Sequence, residues 1–228
     1  MSSKRFKKLT EKTSELSAES IEKLIPAIKK NCTTKFDESV DLSFQINNKQ
    51  KKNEINIRTV VNLPGGSGKK VKVAVVCEDS KSTDAKSAGA DIVGSDDFIE
   101  KIKNGEINFE KLICTPSMMI KLSKLGKILG PKGLMPNPKL GTVTQDVKTA
   151  VSNSKAGQIQ YKNDKAGIVH AGIGKLNFSE EDLLENLKTF YSSITKSKPD
   201  AVKGSFIKKV SIASTMGFGL EINSSLLR

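Results

Sequence analysis

Hydrophobic positions in this chain keep one period up to residue 68, another to about 156, and the first again afterwards. Val40, Leu42, Phe44 and Ile46 alternate with polar residues, the two-residue period of a strand with one buried face. Ile55, Ile57, Thr59 and Val61 resume the alternation after a Lys/Asn/Gln-rich turn at 47–53, so the two runs predict a β-hairpin. Upstream, Ile21, Leu24, Ile25 and Ile28 form one stripe of a helix over 17–31, capped by Ser17 or Ser20 and kinked or ended near Pro26. The hairpin runs out at Leu63-Pro64-Gly65-Gly66-Ser67-Gly68.

The pattern then changes. Val71–Cys77 is a nearly unbroken apolar strand, of the kind covered on both faces. A helix at 80–88, a strand at 90–93, a Ser95-capped helix with Phe98, Ile99 and Ile102, a strand at Leu112–Cys114 and a helix from Pro116 through Leu125 follow. This β-α alternation predicts an open parallel sheet with helices on its faces. A further helix is expected near 146–153. From Gly157 the short period returns. Gln158–Lys162 and Gly167–Gly172 flank the turn 163–166 as a second hairpin. A helix opening at Ser179 carries Leu183, Leu184, Leu187, Phe190 and Tyr191 on its apolar side. Phe206–Ser214 and Leu220–Asn223 add strands. Neither flank holds a complete core. The expected organisation is therefore an α+β discontinuous domain, 1–67 plus 157–228, with an antiparallel sheet covered by helices. Into it 68–156 is inserted as an α/β Rossmann-like three-layer domain. Glycines at both crossings suit a hinge.

Charge narrows the partners. The net charge is +13 over 228 residues and favours a polyanion. No apolar run is long enough to span a bilayer, and no amphipathic helix with a bulky apolar face suggests a membrane surface. The N-terminus, Met1 to Lys8, lacks the apolar stretch of a secretory signal and reads as a basic tail. The three cysteines, Cys32, Cys77 and Cys114, form no Cys-x-x-Cys pair, which argues against zinc; Cys77 and Cys114 read as buried reduced thiols. Leu63–Lys70 is not a phosphate loop, because Leu63 and Lys70 stand where Gly and Ser/Thr are required. Gly172-Ile173-Gly174 lacks the third glycine of a dinucleotide fingerprint, so no nucleotide cofactor is expected. The acidic pairs Glu78-Asp79, Asp96-Asp97 and Glu180-Glu181 fall at helix starts, where the macrodipole accounts for them. The lone histidine, His170, reads as a hydrogen-bonded strand residue or an RNA contact, with no nucleophile signature beside it. Lys49, Lys51 and Lys52 read as a solvated turn.

One segment is specific. Gly130-Pro131-Lys132-Gly133-Leu134-Met135-Pro136-Asn137-Pro138-Lys139-Leu140-Gly141-Thr142-Val143 stops both helix and strand, yet has an apolar pair at its centre. Residues 111–145 hold six lysines (111, 121, 124, 127, 132 and 139) and no acid. The run resembles the signature loop of the bacterial-type family of large-ribosomal-subunit protein one, which builds the mobile stalk beside the tRNA exit site. Lys35–Leu42, Gln160–Lys165, Gly174-Lys175 and Ser214–Gly217 resemble the same family.

The resemblance implies that the discontinuous domain clamps a folded rRNA element. Its contacts would be Lys35, Phe36, Ser39, Lys162, Asp164, His170, Lys175, Thr215, Met216 and Gly217. Phe36 would pack on ribose or base, Thr215 would donate to RNA oxygens, Met216 would make apolar contact and Gly217 would admit the RNA backbone. From the residues alone, Phe36 could equally be core and Met216 a turn residue. Lys124, Lys127, Lys132 and Lys139 would face exit-site tRNA. The resemblance also implies repression of the protein's own mRNA through its leader. It further implies a monomer when free, no cofactor or metal, and a place on the cytoplasmic ribosome, with organelle stroma or matrix left open. Two positions depart from the family's pattern: Phe218 and Gly172 stand where proline is frequent. Low aromatic content, 5% with no Trp, fits recognition of folded RNA by shape rather than single-strand stacking. The alternatives are a ribosome-assembly factor of the same fold, or an enzyme using the insert to hold a phosphorylated ligand.

Overall fold

A computed structural model describes residues 3–13, 21–47, 57–199 and 204–223. The expected caps Ser17 and Ser20, the turn lysines Lys49, Lys51 and Lys52, and Ile55 lie outside these residues. In chain order the elements are α1 (Lys4–Thr13), α2 (Ile21–Lys30), β1 (Ser39–Ile46), β2 (Arg58–Asn62), β3 (Val73–Val76), α3 (Asp79–Ser87), β4 (Ile92–Gly94) and α4 (Asp96–Lys103). There follow β5 (Lys111–Cys114), α5 (Pro116–Ser123), α6 (Gly126–Leu129), α7 (Val147–Lys155), β6 (Gln158–Lys162), β7 (Ile168–Lys175), α8 (Glu180–Lys196), β8 (Ile207–Ser214) and β9 (Gly219–Ile222). They form two compact units, residues 1–68 with 159–228, and residues 69–158.

The first unit is built on an antiparallel sheet in the order β7-β1-β8-β9. Val40, Leu42, Phe44 and Ile46 of β1 point into one core with Leu24, Ile25 and Ile28 of α2 and Leu183, Leu187, Phe190 and Ile194 of α8. The Phe44 and Phe190 rings lie 5.5 Å apart, and Tyr161 meets Phe190 edge-on at 5.0 Å. The buried amide of Asn186 ties α8 to the sheet, donating to the Ile173 carbonyl at 2.8 Å and accepting from Gly65 N–H at 3.0 Å.

Three expectations need correction. Neither predicted hairpin forms as drawn: β1 pairs with β7 and β8, whereas β2 pairs with β6 in a separate two-stranded sheet. β1 has a half-buried pattern that fills a central position, and both its edges are taken by strands more than a hundred residues away, against the usual pairing of sequence neighbours. Asn163 holds the start of the smaller sheet, its side-chain oxygen accepting from Ile57 N–H at 2.6 Å. Of the second hairpin there remain the Asn163–Val169 bridge and the turn, across which Asp164 N–H donates to the Ile168 carbonyl at 2.9 Å. From Lys4 the N-terminal segment is helical, and Leu9 of α1 is buried in the same core. Phe6 and Leu9 stand three residues apart, a helical spacing that the reading of a basic tail passes over. Finally, α2 runs through Pro26 without a break, with Leu24, Ile25 and Ile28 buried on either side of it.

The second unit has a parallel sheet in the order β4-β3-β5. Successive residues of β3 serve opposite cores. Val73 and Val75 pack with Ala85 of α3 and with Val147 and Val151 of α7. Ala74 and Val76 pack with Phe98, Ile102, Met118 and Leu122 from α4 and α5. That two-sided burial is why the strand reads as a continuous apolar run. The helix expected from Pro116 through Leu125 ends two residues earlier, at Ser123, and a separate turn of helix, α6, begins at Gly126.

Candidate RNA interface

Two large apolar side chains, Phe36 and Met216, are 53% and 50% exposed. They lie 180 positions apart in sequence, but β1 begins at Ser39, β8 ends at Ser214, and Val40 pairs with Ser214. The segment preceding β1 and the segment following β8 therefore leave the same end of the sheet. Thr215 N–H donates to the Ser39 carbonyl at 3.1 Å, and Ser39 N–H donates to the Thr215 hydroxyl at 3.0 Å. The Thr215 hydroxyl also donates to the Ser39 carbonyl at 3.3 Å, so its proton already has a partner within the protein. Lys175 joins the group, its ammonium donating to the Ser39 hydroxyl at 3.0 Å and the Asp37 carbonyl at 3.3 Å. A groove of 500 Å³ lies beside Phe36, lined by Lys29, Cys32, Lys35 and Asn177.

Beneath these residues sits Glu38, fully buried. It accepts hydrogen bonds from the Thr34 hydroxyl at 2.6 Å, the Cys32 thiol at 3.2 Å, Met216 N–H at 3.1 Å and the Ser214 side chain. Burial by itself would raise the carboxyl's pKa; these donors outweigh it and hold the group at about 2. Because the folded value is depressed, this stabilisation is present above about pH 4.5 and is lost as pH falls towards 2. Acid unfolding followed by circular dichroism is expected to be shallower over that window in Glu38→Gln; an unaltered profile would show that Glu38 contributes nothing there.

Gly217 has its reason in the same cluster. A Cβ there would lie 2.2 Å from the Ser214 hydroxyl oxygen, so any side chain would drive Ser214 off Glu38. Phe218, at the first departure from the family's pattern, is buried in the main core. Gly172, at the second, lies on β7 opposite Asp41, where a Cβ would sit 3.0 Å from the Asp41 carboxylate.

The remaining candidates are scattered: Lys35 precedes β1, Lys162 ends β6, Asp164 lies in the β6–β7 turn and His170 is on β7. Lys35, Lys162, Asp164 and His170 are exposed. Asp164 closes the β6–β7 turn by accepting from Ile168 N–H at 2.7 Å. At about 3.3 Å per residue, this turn lies roughly 23 Å along β7 from Lys175. His170 stands between them, opposite Ser43 on the sheet's solvent face. The structure thus gathers Phe36, Ser39, Lys175, Thr215, Met216 and Gly217 at one end of the sheet, and Lys162 and Asp164 at the other.

In the second unit, the irregular run 130–143 is fixed by its own hydrogen bonds. The Thr142 hydroxyl accepts from Asn137 N–H at 2.8 Å and donates to the Asn137 carbonyl at 3.1 Å, and Gly141 takes φ +69°. Leu134 and Met135 pack against the α4–α5 core, which explains an apolar pair in a basic loop. Lys124, Lys127, Lys132 and Lys139 are exposed and form no salt bridge among the described residues. Lys121 differs: Asp96 of α4 pairs with it at 2.7 Å, so the run is less one-sided in space than in sequence.

Among the described residues, no group of three or more His, Cys, Asp or Glu could hold a metal ion, and no helix is long and apolar enough to cross a membrane. Cys77 and Cys114 are buried, and burial pushes the Cys114 thiol up to about 11.

The residue that sequence reasoning missed is Glu38. Its signal was present: position 38 shares the parity of Val40, Leu42, Phe44 and Ile46, so the strand's period places it on the core side. A carboxylate there requires donors.

The model of the ribosomal protein L1p/L10e family matches residues 28–218. A protein of Pelagibacter ubique named large ribosomal subunit protein uL1 is 63% identical over 223 residues, 97% of each chain. The protein of that name from Rickettsia typhi is 45% identical over 221 residues, covering 97% of this chain and 93% of its own. The one from Rickettsia bellii is 46% identical over 220 residues, 95% and 92% respectively. The enzyme alternative has no support in these matches, and the chain belongs to the ribosomal protein L1p/L10e family, as a component of the ribosome and not an enzyme.

Proposed function

We propose that the first unit anchors the chain to a folded stalk element of large-subunit rRNA, while the second offers its basic loop to tRNA at the exit site. The observation that carries the reading is the joining of Phe36–Ser39 to Thr215–Gly217 in one exposed, rigidly hydrogen-bonded surface. Apolar side chains carried on a hydrogen-bonded backbone at a sheet end, flanked by Lys35 and Lys175, suit a folded RNA read by shape and sugar-edge contact. His170 on β7, with Asp164 and Lys162 at the β6–β7 turn, would extend that contact. Lys124, Lys127, Lys132 and Lys139 would meet tRNA phosphates. Free protein, a monomer, would bind a similar fold in its own message and repress it. The working location is the cytoplasmic ribosome.

The first test is co-sedimentation with purified large subunits, where stoichiometric retention is expected; loss from mature subunits would favour an assembly factor. In titrations, affinity for stalk rRNA should fall with salt less steeply than affinity for a scrambled hairpin, because the Phe36 and Met216 contacts are not ionic. Equal affinities for the two RNAs at physiological salt would overturn the reading.

A further inference from the structure

We infer that Glu38 is the positioning residue of this interface, a sealed carboxylate that sets Phe36 against Met216 without touching RNA itself. The inference rests on the proposed rRNA contact of those two side chains. Each carboxylate oxygen serves a different segment. Oε1 takes the Thr34 hydroxyl at 2.6 Å and the Cys32 thiol at 3.2 Å, both from the loop before β1. Oε2 takes Met216 N–H at 3.1 Å, from the turn after β8. The Ser214 side chain adds a donor from the end of β8. Glu38 also accepts at its backbone carbonyl from Leu176 N–H at 3.0 Å, which fixes its own place beside β7. No ladder bond reaches Phe36 or Met216 in the sheet itself, since β1 starts at Ser39 and β8 ends at Ser214. The bracket is what carries the order of the sheet out to the two exposed side chains.

The chemistry sets a gradient among replacements. Alanine removes both oxygens and leaves Met216 N–H and the Thr34 hydroxyl without their acceptor. Glutamine keeps one oxygen. Turned towards Met216 N–H, it points its NH₂ at the Thr34 hydroxyl, which can accept and send its proton to the Phe36 carbonyl, 3.3 Å away. Glutamine therefore preserves the bracket in part. Thr34→Val deletes the shortest bond to the carboxylate, together with the hydroxyl's contacts to the Phe36 carbonyl at 3.3 Å and the Cys32 thiol at 3.4 Å, and leaves Glu38 in place.

The experiment is equilibrium binding of the full-length variants to stalk rRNA and to a scrambled hairpin, at several salt concentrations and well below each melting temperature. For stalk rRNA, Glu38→Ala should weaken binding about 30-fold and Glu38→Gln and Thr34→Val about fivefold, as expected for lost charge-assisted and neutral hydrogen bonds. The salt slope and the affinity for the scrambled hairpin should not move, because no phosphate contact is lost. Leu187→Ala, a cavity in the α8 core, supplies the control for mere destabilisation: it should lower the melting temperature and leave stalk affinity within about twofold. If Glu38→Ala fails to fold, Glu38→Gln and Thr34→Val decide. Unchanged stalk affinity in the folded Glu38 and Thr34 variants, beside a loss in Met216→Asp, would overturn the positioning role alone. Absence of any preference for stalk rRNA in the unaltered protein would overturn the proposed function with it.

Discussion

Met216→Asp is expected to lower affinity for stalk rRNA by about 100-fold while leaving the protein folded. Half of the Met216 side chain faces solvent, so replacing it costs little packing, and surface changes of this kind usually shift stability by about 0.5 kcal/mol or less. Its backbone N–H still reaches Glu38, and the turn is retained. What changes is the surface offered to RNA. The thioether contact is lost, and a charge of the same sign as phosphate takes its place in a desolvated position. Lost apolar contact and like-charge repulsion together account for several kcal/mol at such a place. Filter binding measures the affinity and a circular dichroism melt the fold. A variant that melts normally and binds stalk rRNA as tightly as the unaltered chain would remove Met216 from the interface.

Replacing residues 69–158 with a short Gly/Ser linker should leave a cooperatively folding protein that keeps its stalk rRNA affinity within about threefold and loses tRNA contact. Each core is drawn from its own unit: Phe44, Tyr161 and Phe190 belong to the retained part, while the two cores flanking β3 leave together. The excursion departs after β2 and returns at β6, which are hydrogen-bonded neighbours, so a linker of a few residues can close the gap. Phe36, Glu38 and Thr215–Gly217 all remain. Lys124, Lys127, Lys132 and Lys139 do not. Crosslinking to exit-site tRNA on reconstituted subunits reads the loss. A folded deletion protein without specific rRNA affinity would overturn both the independence of the first unit and the assignment of its surface.

Local periodicity made the individual elements legible. The alternation in β1 and the unbroken apolar run of β3 each report how many faces of the strand are buried, and the structure agrees at both places. Pairing was not legible, because period and parity do not say which strand fills an edge; β1 and β2 look like a hairpin by spacing and yet belong to different sheets. At the candidate site, residue types suggested exposed contacts but not their supports. The resemblance assigns the Thr215 hydroxyl and Gly217 to RNA; the structure shows one bonded to Ser39 and the other making room for Ser214. Such uses depend on partners 176 and three residues away, and only the second distance is short enough for sequence alone to suggest.

The central place of β1 has a kinetic consequence during synthesis. Residues 69–158 are contiguous and can close as soon as they emerge, but β1 must wait for β8, whose first residue is Ile207. At about 5–20 residues per second, the interval from Ile46 to Ile207 is on the order of ten seconds or more, during which the edge of β1 that takes β8 has no partner. The bracket between Glu38 and Met216 comes later still. A chain that stops short of residue 216 therefore lacks the surface proposed for RNA; under the proposed function, incomplete products of translation would be barred both from the subunit and from the message, and only a finished copy would compete for either.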